Sequence, residues 1–156
     1  MVMLMMGNNP RNNKQQFGGN YQGQSNVGNI IDYIKKGDTS KIVEIFGSNG
    51  DIKNLVRSPV ITKTQLRKFY DPIVALRDSV VNNQKANRDE IKAKLAIMIP
   101  LLQYSLRNAR DAEPFIEKLQ EMIKAVIDGS DDDLVKRLDR FSDVFQAVIA
   151  YSKEKQ

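Results

Sequence analysis

Two groups of side chains have types and spacings that could do chemistry together. Lys63, Arg67, Lys68, Tyr70 and Arg77 form the first, and Tyr104, Arg107 and Arg110 the second. A guanidinium offers a planar fork that matches two phosphate oxygens, while a lysine adds a point charge. A tyrosine beside them can stack on a base or hydrogen-bond to a sugar. Such a set suits the backbone of a nucleic acid. It suits equally well the acidic side chains of its own fold, and on residue types alone both readings stand.

The first group acts as a unit only if a helix orders it, and Ile61-Thr62-Lys63-Thr64-Gln65-Leu66-Arg67 carries the signal for one. Thr62 can accept from the Gln65 N–H while Gln65 reaches back to the Thr62 N–H, a capping box, with Ile61 and Leu66 as its hydrophobic staple. The spacing predicts a helix from Thr62 to about Val81, with Leu66, Phe69, Ile73, Leu76 and Val80 on its apolar face. Arg67 then lies about 40° round from Lys63, and Tyr70 and Arg77 fall just on the other side. Pro72 predicts a kink near residues 67–69 or a break.

The other elements also read helical. Ile30, Ile31 and Ile34 precede Lys35-Lys36-Gly37, a short helix with a glycine stop. Asp38 is expected to cap a second short piece bearing Ile42, Ile45 and Phe46, ended by Gly47 to Gly50. A long helix is expected from about Arg88 to Arg110. It is apolar on most faces between Leu95 and Leu106, so it is expected to be central, buried and bent at Pro100. Asp111 and Pro114 open a further helix with Phe115, Ile116, Leu119, Ile123 and Ile127, closed by Gly129. Ser130 is expected to cap the last, whose stripe is Leu134, Leu138, Phe141, Phe145 and Val148. The fold class is all-α: a compact bundle of about five helices over residues 29–156. Residues 1–28, rich in Asn, Gln and Gly, are expected to be a flexible tail.

Composition narrows the function. The 156 residues include no cysteine, histidine or tryptophan. Without histidine the commonest general base and the commonest metal ligand are both gone. No catalytic residue, metal site or cofactor is expected, and the protein is expected not to be an enzyme. The apolar runs Met1 to Met6 and Leu95 to Leu102 fall far short of the ~20 residues that span a bilayer. The first lacks the flanks of a signal peptide, so a cytoplasmic protein with no membrane partner is expected. Asp128 to Asp133 lacks the glycine and the final carboxylate of a calcium loop, and Gly47 to Gly50 is followed by no Gly-Lys-Ser/Thr. Charge is unevenly spread: residues 52–110 carry twelve Lys or Arg against four Asp or Glu, whereas residues 111–156 carry seven against eleven. A basic half joined to an acidic half suggests a polyanion-facing surface and a separate surface with another role, or equally a helical surface that is simply charged and uneven.

Three stretches in order carry a family resemblance. They are Ile61-Thr62-Lys63-Thr64-Gln65-Leu66-Arg67-Lys68, Gln103-Tyr104-Ser105-Leu106-Arg107-Asn108-Ala109-Arg110, and Phe141 to Lys153 with its Ala150-Tyr151-Ser152-Lys153 end. Over roughly residues 55–155 the chain resembles the small all-helical subunit of type III-A CRISPR effector (Csm) complexes. The resemblance implies a non-catalytic, RNA-binding subunit of a ribonucleoprotein in antiviral defence. Its copies stack into an inner filament beside the backbone and large subunits, touching guide RNA and target RNA through phosphates and sugars without sequence specificity. Base pairing would carry that specificity. The residues so implied in RNA contact are Arg67 and Arg110, then Lys63, Lys68, Arg77, Arg107 and Lys153. The alternatives are a helical protein–protein adaptor and the equivalent small subunit of a type III-B complex.

Overall fold

The computed structural model describes residues 27–57, 61–83, 85–109 and 111–152. The elements among them are helices: α1 (Val27–Lys36), α2 (Ile42–Phe46), α3 (Asp51–Leu55), α4 (Lys63–Val81), α5 (Arg88–Ser105), α6 (Glu113–Ile127), a 3-10 turn (Asp131–Asp133) and α7 (Leu134–Tyr151). The all-α expectation holds, with five long helices and two single-turn ones. Of the expected tail, residues 1–26 lie outside the described residues, while Val27 and Gly28 open α1.

The last helix is the centre of the bundle. α7 packs against α1, α3, α4 and α6 as well as the 3-10 turn. Its expected stripe is fully buried, and Val144 and Ile149 are buried beside it, so more than one face is covered. Phe145 sits between two other rings, 5.9 Å from Phe141 and 5.7 Å from Tyr70 by centroid. The first pair meets edge to face and the second is tilted, contacts that stabilise beyond the area they bury.

α4 begins as its sequence predicts. Thr62 Oγ1 accepts from the Gln65 N–H at 3.2 Å, and Gln65 Oε1 accepts from the Thr62 N–H at 2.9 Å. Ile61 and Leu66 are both buried, as are Phe69, Ile73, Leu76 and Val80. The helix continues through Pro72 without a break. Proline removes the bond to the carbonyl four residues back, here that of Lys68. Both residues are exposed, so solvent can satisfy the freed oxygen.

Other expectations need correction. α5 is not the central buried helix: it packs mainly on α6, and Ile97, Leu101 and Tyr104 are exposed. Only Ile91, Leu95 and Leu102 within it are buried. It ends at Ser105, followed by turns, and it too runs on through its proline, Pro100. Asp38 does not cap α2; its Oδ1 accepts from the Ser40 N–H at 2.9 Å in a turn, and α2 starts after Lys41 with no side-chain cap. Ser130 makes no capping bond, and Asp131–Asp133 form the 3-10 turn instead. At the start of α6, Pro114 lies in the first turn as expected, while Asp111 adopts φ +64° two residues before the helix. The one-turn helix α3 was not foreseen; Ile52 and Leu55 supply its buried face.

Truncating a ring at the bundle centre tests this arrangement. Phe145→Ala should cost about 3–5 kcal/mol, the range for a large aromatic removed from a packed core. Urea denaturation followed by circular dichroism reads it, and an unshifted midpoint would place the packing centre elsewhere.

Candidate nucleic-acid interface

The flank expected to carry Lys63, Arg67, Tyr70 and Arg77 borders α7, which runs antiparallel to α4. Lys63 Nζ donates to the Ile149 carbonyl at 2.6 Å and to the Ala150 carbonyl at 3.1 Å. Tyr70 meets Phe145, and Arg77 Nη1 donates to Ser142 Oγ at 2.8 Å. Arg77 also reaches Asp139 at 3.6 Å and bonds Asp78 through Nε and Nη2. Burial works against the charge on Arg77, but Asp78, Asp139 and Asp143 outweigh it and raise its pKa. Three of the four side chains therefore fasten α4 to α7, the intramolecular use that the residue types left open.

Arg67 and Lys68 are different. Both are exposed, one turn after a cap that fixes the start of the helix. Arg107 is exposed as well, in the turns after α5. Its Nη1 donates to the Tyr104 carbonyl at 2.6 Å, and its guanidinium lies 4.1 Å from the Tyr104 ring centroid. Arg110 and Lys153 lie outside the described residues. The two expected clusters are carried by different helix pairs, the first by α4 on α7 and the second by the end of α5 on α6. Gln103 Nε2 donates to Glu113 Oε2 and Gln120 Nε2 to the Ile99 carbonyl, fixing that second pair as antiparallel. Between them a groove of about 560 Å³ is lined by Ile99, Pro100, Gln103, Tyr104, Arg107 and Gln120.

Sequence reading missed two arginines of α7 that organise the bundle. Arg137 is buried and its Nε donates to the Val126 carbonyl at 2.8 Å, at the end of α6. Arg140 Nε donates to the Ile34 carbonyl at 2.9 Å and Nη2 to that of Lys35, at the end of α1. Burial lowers the pKa of Arg137 against the pull of Asp133. Cations stabilise the carbonyl end of a helix, but that pattern is sought within one helix. Here another helix supplies the cation, so no local signal exists. The glycine stops were the available hint: Gly37 and Gly129 have φ +70° and +125°, and a Cβ on either would lie 2.9 Å from a guanidinium atom of Arg140 or Arg137.

Among the described residues no cluster of carboxylates has the arrangement of a metal site, and no helix is long and apolar enough to cross a membrane. Residues 38–156 match the family model described as Csm2 Type III-A. No curated protein and no solved structure matches the chain significantly.

The seam between α4 and α7 has a pH signature. Asp143 is exposed, yet partial desolvation, then Asp139, pushes its carboxyl above the ordinary range, and Arg77 only partly offsets them. A carboxyl with a raised folded pKa binds its proton more tightly in the folded chain, so its contribution favours folding at low pH. That contribution is lost as pH rises through the ordinary aspartate range to the raised value. Asp143→Asn should therefore stabilise the protein slightly at pH 7, since solvent screens an exposed carboxylate, and leave it unchanged near pH 3, where both side chains are neutral. Denaturation midpoints at the two pH values check the difference; destabilisation at pH 7 would mean that the Arg77 attraction dominates.

Proposed function

The chain belongs to the Csm2 type III-A family and is a structural subunit of a type III-A CRISPR effector complex; from that premise we propose that it stacks in several copies and lines the guide–target RNA with a basic, sequence-blind surface. RNA cleavage and nucleotide chemistry then fall to other subunits of the assembly. The observation that carries this reading is the placement of Arg67 and Lys68, exposed beside the capping box at the start of α4 within the basic half of the chain. A rigid helix start aims their charges at a fixed track. Arg107 joins them as a direct contact, and Arg110 and Lys153 follow from the family resemblance. Lys63 and Arg77, while anchoring α4 to α7, add half-exposed charge along the same flank. Such contacts need only shape and charge, because pairing between guide and target carries the sequence.

One observation favours a second reading, a helical protein–protein adaptor. Ile97, Leu101 and Tyr104 repeat at helical spacing on the outer side of α5 and are all exposed. Apolar side chains at that spacing suit a helical partner. The type III-B alternative gives way, because the matched family is the type III-A one.

The double variant Arg67→Glu with Lys68→Glu separates these readings. RNA affinity of the full-length chain at low salt should fall about tenfold or more, and the slope of log affinity against log salt should drop by about one per lost phosphate contact. The loss should be the same for unrelated RNA sequences. Far-ultraviolet circular dichroism should stay native, since both side chains are exposed. Unchanged affinity in a natively folded variant would remove Arg67 and Lys68 from the interface.

A further inference from the structure

We propose that Tyr104 and Arg107 form a stacking site for a single unpaired nucleobase, an inference that rests on the RNA-binding reading and names which part of the RNA this site takes. Tyr104, the one aromatic side chain of α5, is 65% exposed. Its ring is nonetheless held, because the guanidinium of Arg107 lies over one face at 4.1 Å and is tied through Nη1 to the Tyr104 carbonyl. The pair is a preformed, charged plane.

That geometry argues for a base over a phosphate. A guanidinium that grips phosphate uses its fork of N–H groups, but here Nη1 is committed and the flat face is spent on the ring. What remains outward is the second face of the tyrosine ring and the outer plane of the guanidinium. Both are surfaces on which a base stacks, through π contact and cation–π attraction. The groove beside them, about 560 Å³, is shallow and open, a surface to stack on rather than a pocket that encloses a ligand. Its lining is mostly apolar through Ile99 and Pro100, which suits a flat ring. The amides of Gln103 and Gln120 are fixed by their bonds to Glu113, to the Ile99 carbonyl and to each other. They form a rim of set orientation. A base inside a regular duplex is already stacked and cannot enter, so the site takes a nucleotide that is single-stranded or turned out of the duplex.

The absence of tryptophan from the chain supplies the test. Tyr104→Trp in the full-length protein introduces a single indole at the site. Adding a single-stranded oligoribonucleotide at low salt should quench its emission along the binding curve, while a blunt duplex of the same sequence should not. Tyr104→Ala should weaken single-strand binding about tenfold, the scale of one lost base stack, and leave duplex affinity unchanged; Tyr104→Phe should restore it. If RNA binds with its usual salt dependence but emission and Tyr104→Ala affinity do not change, the base site is wrong and the backbone reading stands. If no form of the protein binds RNA, the backbone reading fails and this inference with it. Emission that varies with protein concentration alone would make this face a contact between copies and overturn the proposal.

Discussion

Every α-helix ends with carbonyl oxygens that have no partner in its own ladder, and a helix ending inside a bundle cannot leave them bare. Three of the helix ends here are satisfied by cations from another helix. Arg140 reaches the end of α1, Arg137 the end of α6, and Lys63 the end of α7 itself. Each bond satisfies orphan carbonyls with a charged donor and complements the negative end of a helix dipole. The two arginines leave α7 one turn apart in sequence, which fixes how α1 and α6 lie on it. Gly37 and Gly129 follow from the same requirement. Both turn the chain with positive φ and both give a guanidinium the space that a Cβ would take.

This use of cations reshapes the charge pattern. A basic half and an acidic half suggest two opposite faces, yet part of each is consumed at the seams between helices. Arg77 is held among Asp78, Asp139 and Asp143, and Lys92 bonds Asp131 at 2.6 Å. What is left for a partner is smaller and better defined than the count of charges implies. Of the described basic residues proposed for RNA contact, the exposed ones are the pair Arg67 and Lys68 on α4, and Arg107 over Tyr104.

How far such features can be read in advance depends on how local they are. The capping box, the staple and the buried stripe of α4 are set by residues within a few positions of one another, and they are found where the sequence places them. The stripe of α7 is equally local. α5 misleads because a run of apolar residues does not say which of them have neighbours: Ile97 and Leu101 belong to the same run as Leu95 and Leu102, yet face outward. The arginine caps are hidden for the opposite reason, since Arg140 and Ile34 are 106 positions apart and only the glycine stop beside the helix end hints at the guanidinium. At the candidate interface, residue types correctly left two uses open for the basic flank. Lys63, Tyr70 and Arg77 turn out to hold the fold together, whereas the exposure of Arg67 and Lys68 follows from their angular position on α4.

The position of α7 at the centre also bears on the order in which the molecule can be made. A ribosome releases the chain from its N-terminus, and domains commonly fold as they emerge. In this chain α1, α3, α4 and α6 all rest on the last described helix to be synthesised. Until α7 emerges, α1 lacks the arginine that closes its end, and α4 lacks the carbonyls that receive Lys63. Contacts spanning more than a hundred residues must close late and at an entropic cost. α1 and α5 can meet α6 without α7, but the bundle cannot close until that last helix is in place.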